Sequence, residues 1–179
     1  MKFSRLSIAA AFLACATGPA SAAIINAALA ATDFGAPSAF AFSFSTPYVG
    51  GPYNTSILQY ELTLTDGGRD GATLTGTVEG LVDGNLASTL TLNCSVPFDG
   101  VTQNGFKVCS GSISNPFAAP AAGMLQLDIQ FQLSGDGDSV SMAASHEIKN
   151  VDSTVPEPSA VILGATGLGL LALLRRRRG

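Results

Sequence analysis

Apolar and polar side chains alternate with a period of two through most of the middle of this chain. The apolar members of the clearest runs are Phe40, Phe42 and Phe44; Leu58, Tyr60, Leu62 and Leu64; Leu74 and Val78; Leu86, Leu90, Leu92, Cys94 and Val96; and Leu125, Leu127, Ile129, Phe131 and Leu133. A period of two places one side of a strand in a core and the other in water. The pattern therefore predicts strands, and no stretch of residues 23–154 has helical periodicity.

Turn-forming residues separate these runs. They lie at residues 66–71, at Asp83-Gly84-Asn85, at Asp99-Gly100 and at residues 135–138. About seven short strands at this spacing predict an all-β fold, a single antiparallel β-sandwich. The expected core includes Leu58, Tyr60, Leu62, Leu64, Leu90, Leu92, Leu127, Ile129 and Phe131. The segment from Ala23 to Ala31 is left open between a short helix and an irregular edge strand.

The N-terminus has the three parts of a secretory signal peptide. Lys2 and Arg5 are followed by an apolar core and then by Ala20-Ser21-Ala22. Residues 1–22 are therefore predicted to be a signal peptide that is cleaved between Ala22 and Ala23. The apolar core is too short to span a membrane. Lipidation at Cys15 is a weaker alternative, because Phe12 fits a lipobox poorly.

The C-terminus, residues 155–179, joins a proline-rich stretch to an apolar run and a basic end. Pro156-Glu157-Pro158 precedes a predicted transmembrane helix at 159–174. Arg175, Arg176, Arg177 and Arg178 follow it, and such residues stay on the cytoplasmic side of the inner membrane. Residues 23–154 are then the secreted domain. A permanent single-pass anchor remains an alternative.

This three-part tail resembles the PEP-CTERM sorting signal of Gram-negative bacteria, which is also named the ice-binding protein C-terminal domain. The resemblance implies that exosortase recognises Pro156, Glu157 and Pro158 and removes the tail after export by the secretion machinery. Anchoring in the inner membrane would then be transient, and the protein would finish at the cell surface or in the extracellular matrix. The family accompanies exopolysaccharide production, which implies a structural or adhesive role and exopolysaccharide as a partner.

Charge and cysteine usage agree with export. Between residues 23 and 158 only Arg69, Lys107 and Lys149 oppose all 13 acidic residues, a balance of −10. Nucleic-acid binding is excluded, because it needs clustered Lys and Arg. Cys94 and Cys109 form an even pair in an oxidising compartment and are predicted to be bridged.

The sequence offers little catalytic chemistry, so no enzyme activity, cofactor or metal is expected. His146 is interpreted as a packed or rim histidine, because no nucleophile motif accompanies it. Asp66 and Asp70 in one loop and Asp136 and Asp138 in another are candidate calcium ligands. Ordinary turn chemistry explains them better. A secreted hydrolase acting on envelope polymers is the alternative function.

A threonine face is the last candidate surface. A meander over residues 58–96 would pair Leu64 with Leu74 and Val78 with Leu90. It would align seven threonines, Thr63, Thr65, Thr73, Thr75, Thr77, Thr89 and Thr91, on one face. Such a ladder could bind polysaccharide or ice. Threonine is also simply a favoured strand residue on a solvated face, and that explanation is preferred.

Overall fold

A computed structural model of the protein describes residues 22–98 and 105–150, which form eight strands. The strands are β1 (Ala22–Asp33), β2 (Ser38–Val49), β3 (Tyr53–Thr65), β4 (Ala72–Val82), β5 (Asn85–Val96), β6 (Phe106–Ala119), β7 (Ala122–Leu133) and β8 (Asp138–Lys149). All neighbouring strands run antiparallel. The all-β prediction is confirmed.

The strands form two four-stranded sheets. The first sheet has the order β1-β8-β3-β6, and the second has the order β2-β7-β4-β5. Seven connections join the strands, and all except the β4–β5 hairpin cross from one sheet to the other. This strand order is that of an eight-stranded jelly roll, a form of the predicted sandwich.

The core lies between the sheets and comes from the alternating residues that the sequence indicated. Eight of the nine side chains predicted to be in the core are buried, and Leu90 is partly buried. Leu58, Leu64, Leu127 and Ile129 have no exposed surface. Phe40 and Phe42, on the edge strand β2, are partly buried and stack on Phe131. The period-two prediction therefore placed the correct face of the recognised strands inward, except at Leu86 at the start of β5, which is exposed beside a shift in the β4–β5 register.

The structure corrects two parts of the prediction. There are eight strands rather than about seven. The segment from Ala23 to Ala31, which was left open between a short helix and an irregular edge strand, lies within the regular edge strand β1. The predicted meander is wrong at its first step. β3 and β4 lie in different sheets, so Leu64 does not pair with Leu74. Its second step is confirmed, because Val78 pairs with Leu90 and Thr77 with Thr91.

The predicted targeting segments lie almost entirely outside the described residues. The signal peptide is described only at Ala22, and nothing from residue 151 onward is described, including the predicted helix at 159–174. Within residues 22–98 and 105–150, no helix is long and apolar enough to cross a membrane.

Candidate functional site

The predicted signal cleavage position falls at the start of β1. Ala22 is the first residue of that strand and pairs with Lys149, the last residue of β8. Ala23 pairs with Ile148. The first residue of β1 and the last residue of β8 therefore meet at one edge of the first sheet. One further described residue, Asn150, follows Lys149. Pro156, Glu157, Pro158 and the four terminal arginines lie beyond it.

Cys94 and Cys109 are bridged, as the sequence predicted. The bond joins β5 of the second sheet to β6 of the first, and the two Cα atoms are 6.1 Å apart. It closes a 15-residue separation in the chain. The bridge thus ties the two sheets together along the edge where β5 faces β6.

His146 lies in a buried chain of hydrogen bonds. Its Nδ1 is 3.0 Å from the carbonyl oxygen of Gln126, and its Nε2 is 2.9 Å from Ser56 Oγ. A carbonyl can only accept, so Nδ1 carries the proton and the Ser56 hydroxyl donates to Nε2. Ser56 Oγ is also 2.8 Å from Ser88 Oγ, which accepts from the Asn115 amide. Side chains and main chain from five strands of both sheets are joined in this way.

This Ser–His contact is structural rather than catalytic. His146 and Ser56 are completely buried and Ser88 is 2% exposed, so a substrate has no path to the hydroxyl. Burial lowers the pKa of His146, and the bond to Gln126 opposes that change only in part. The interpretation of His146 as a packed residue is confirmed. Its partners could not be predicted, because Ser56, Ser88 and Asn115 come from three different strands that are distant in the chain.

Gly80 makes room for the imidazole. A Cβ atom at this position of β4 would lie only 2.7 Å from the His146 ring. The ring therefore packs directly on the backbone of the opposite sheet. A glycine inside a strand often marks such a close approach, and here it identifies the partner surface of the buried histidine.

The structure joins the two aspartate-containing loops that the sequence identified separately. Asp138 Oδ1 accepts a 3.2 Å hydrogen bond from the Gly67 amide, and Asp138 Oδ2 accepts from Ser134 Oγ. A Cβ at Gly67 would lie 2.1 Å from the Gly137 carbonyl oxygen, so only glycine allows this approach. The loop at residues 34–37 joins them, because Gly35 accepts a hydrogen bond from the Asp136 amide. We call the loops at 34–37, 66–71 and 134–137 the three-loop end.

Asp66 organises its own loop at this end. Its Oδ1 accepts from the Arg69 amide at 2.6 Å, and its Oδ2 accepts from the Gly71 amide at 3.1 Å. Burial raises the pKa of the Asp138 carboxyl, and the nearby charges of Asp66 and Asp70 raise it further. The bonds from Ser134 and Gly67 act in the opposite direction. Three carboxyls are therefore held together in a partly dehydrated position.

The outer face of the first sheet carries a shallow groove of about 670 Å³. Small residues form its floor, including Ala28, Ala143 and Gly111. Amide, hydroxyl and carboxyl groups line it, from Asn26, Gln59, Glu61, Ser110, Ser112 and Ser145. Among these lining residues Glu61 is the only acid. The predicted threonine ladder is divided between the molecule's two outer faces, because Thr63 and Thr65 lie on β3 and the others on β4 and β5.

Comparison with known proteins identifies the tail. The family model of the PEP-CTERM protein-sorting motif matches residues 154–178. The chain therefore carries this motif, as the resemblance of its C-terminus indicated. No characterised protein matches the sequence closely enough to count as a relative.

Solved structures similar to this chain share little sequence with it. Latent PorU from Porphyromonas gingivalis is 13% identical, with a TM-score of 0.40, over 72% of this chain and 13% of PorU. A CBM27 module from Caldicellulosiruptor saccharolyticus, solved with mannohexaose, is 12% identical, with a TM-score of 0.39, over 67% of this chain and 73% of the module. A tailspike protein of bacteriophage CBA120 is 13% identical, with a TM-score of 0.36, over 81% of this chain and 19% of the tailspike. At these scores the likenesses carry no argument about function.

Proposed function

We propose that this chain is a non-enzymatic protein of the bacterial envelope or extracellular matrix, with a structural or adhesive role linked to exopolysaccharide. The sorting motif at residues 154–178 carries the proposal, because that motif marks an exported protein sorted by exosortase toward the cell surface. The mature domain is strongly acidic, which suits a soluble matrix component and disfavours binding to anionic lipid.

The described domain supports an adhesive role more than a hydrolytic one. A glycoside hydrolase needs two carboxyl groups facing each other across a cleft, about 5 to 9.5 Å apart. The groove on the first sheet contains one, Glu61, and its other lining groups are amides, hydroxyls and small apolar side chains. Such groups can hydrogen-bond a sugar chain without cleaving it.

The proposal predicts that the stable exported form ends near Pro158 and is no longer an integral membrane protein. Pro156 and Pro158 keep the motif extended, so a protease can reach it. Replacement of Glu157 by Ala leaves the hydropathy of the apolar run unchanged and should block processing. The measurement is the intact mass of the envelope and extracellular forms in a host that carries exosortase.

Two further variants separate sorting from simple anchoring. Asp152→Ala removes the same charge outside the motif and should be processed normally. Replacement of Arg175 to Arg178 by serine should instead weaken retention of the tail in the cytoplasm. If a form ending at Gly179 predominates and Glu157→Ala changes nothing, the tail is a permanent anchor and the proposal is wrong.

A further inference from the structure

The three-loop end concentrates negative charge in a small, largely buried volume. One carboxylate oxygen each from Asp66, Asp70 and Asp138 lie within 4.8 Å of one another. Asp138 is 1% exposed and Asp66 is 4% exposed, whereas Asp70 reaches the surface. Like charges this close, with little water between them, destabilise one another unless a cation balances them.

A fourth acid beside the cluster has an oxygen without a partner. Asp33 is 6% exposed, and its Oδ2 is buried with no hydrogen bond among the described residues. Its Oδ1 accepts from the Gly35 amide. Asp33 stands directly opposite Asp138 in the β1–β8 pairing. Paired residues in an antiparallel sheet project from the same face with Cβ atoms about 5 Å apart, so Asp33 points toward the cluster side of this end. A buried carboxylate oxygen left unpaired costs free energy, which a bound cation would recover.

Main-chain oxygens lie in the same place. The carbonyl of Gly137 is in contact with Gly67, and that of Asp136 lies 2.8 Å from the position of a Cβ on Gly68. Each carboxylate has about four lone-pair sites, so the bonds that Asp66 and Asp138 accept from loop amides leave acceptor capacity for a metal. Carboxylates and carbonyls are the ligands that calcium takes, six to eight at a time and with flexible geometry.

We propose that the three-loop end is a calcium-binding site, with Asp66, Asp70 and Asp138 as carboxylate ligands and Asp33 completing its charge. The sequence favoured turn chemistry alone, because it showed two loops with two acids each. The structure brings Asp66 and Asp70 of one loop to the same point as Asp138 and pairs Asp138 with Asp33 of β1, and turn formation requires neither arrangement. The bound ion would join the loops after β1, β3 and β7, and it would act independently of the sorting tail.

The first test is calcium binding by the full chain extracted in mild detergent. Titration calorimetry should give a dissociation constant on the order of 10⁻⁴ to 10⁻³ M, typical of extracellular calcium modules. The melting temperature should rise with calcium concentration above that value. Mg²⁺ should act more weakly, because it demands a stricter octahedral geometry. An equal rise with NaCl at matched ionic strength would mean charge screening and would overturn the proposal.

The second test compares variants that keep the hydrogen bonds but remove a charge. Asp138→Asn retains an acceptor for the Gly67 amide and replaces the bond accepted from Ser134 by one donated to Ser134 Oγ. It should weaken calcium binding by about tenfold or more. Asp33→Asn should also weaken it. Asp136→Asn is the matched control, because Asp136 lies in the same loop but outside the cluster, and its left-handed backbone (φ 54°) tolerates asparagine.

Calcium should also reverse the order of melting temperatures between these variants and the natural chain. Without calcium, Asp138→Asn and Asp33→Asn should melt at a higher temperature than the natural chain, since charge repulsion is relieved. At millimolar calcium they should melt at a lower temperature, since the bound ion is lost. A cluster that serves only to shape the loops predicts the same order in both conditions, and that result would overturn the proposal.

Discussion

His146 is held in one tautomer and one orientation by bonds at both ring nitrogens. The buried hydrogen-bond chain is complete only while the ring is neutral. Ser56 then donates to Nε2, and the Asn115 amide supplies the first donor of the chain. A proton on Nε2 would reverse the Ser56–Ser88 bond, leave the Ser88 hydrogen without an acceptor in this chain, and place a charge in the core. Burial of the ring, which disfavours its charged form, is the main cause of the lowered pKa of His146.

The stability of the domain should therefore fall in mild acid. The pKa of His146 is 6.5 when unfolded and lower when folded. Above pH 6.5 both states are neutral and His146 adds no pH dependence. Below pH 6.5 the unfolded state binds the proton first, so stability decreases with falling pH until the folded pKa is reached, by up to about 1.4 kcal/mol per pH unit. Urea unfolding at a series of pH values from 7.5 to 5 measures this slope.

His146→Gln is the control for this effect, because glutamine can bond Ser56 but does not titrate. Its stability should be flatter over the same pH interval, whatever its absolute value. The Asp138 carboxyl, whose pKa is raised, contributes a slope of opposite sign at lower pH. That contribution is common to both proteins and cancels in the comparison. An equal slope in both would show that His146 does not carry the effect.

Among the elements, the Cys94–Cys109 bond is the covalent tie between the sheets. It joins the edge strands β5 and β6, and it restricts the unfolded chain across a 15-residue separation. Replacement of both cysteines by serine should lower the free energy of unfolding by about 3 kcal/mol. Reduction of the natural protein should cause a similar loss and should leave the double variant unchanged. Two alkylatable thiols in the native exported protein would contradict the bridge.

The sequence predicted elements with strong contrast between their faces and missed those without it. β3 and β7 alternate Leu, Ile, Tyr or Phe with polar residues, and their buried faces were predicted correctly. β1 buries two alanines with Ile25 and Leu29, and alanine is a weak strand signal. In β6, serines alternate with both polar and apolar residues, including Gly111 and Asn115. Neither strand could be recognised by hydropathy alone.

The local sequence pattern could not predict which of the two sheets each strand joins. The six residues after β3 could close a hairpin or cross to the other sheet, and turn residues suit both. In the folded chain this loop packs at Gly67 against Gly137, in the distant loop before β8, and the local pattern does not indicate that contact. For the same reason, the sequence does not show that the acids of the three-loop end lie together, or that Ser56, Ser88 and Asn115 lie near His146.

At the scale of the whole molecule, the groove of about 670 Å³ lies on the outer face of the first sheet, whereas the outer face of the second sheet carries one of about 380 Å³. If the adhesive role is correct, Gln59→Ala and Asn26→Ala should each weaken binding to the producing cell's own exopolysaccharide by a few-fold, since each removes about 1 kcal/mol of hydrogen bonding. Asn93→Ala, on the outer face of β5, is the matched control and should have no effect. Pull-down of the protein with purified polysaccharide measures the difference. Equal retention of all three variants would assign adhesion to another surface.

The pairing of β1 with β8 sets an order of events for export. The first strand to leave the secretion channel must wait for the last one, because its hydrogen-bonding neighbour is β8 and Ala23 pairs with Ile148. Until then β1 has no hydrogen-bonding neighbour in its own sheet. A chain interrupted before β8 lacks the strand that lies between β1 and β3, and we expect it to be more exposed to envelope proteases. The strand that completes the domain is also followed at once by the sorting tail, so the chain is ready for sorting only when it is whole.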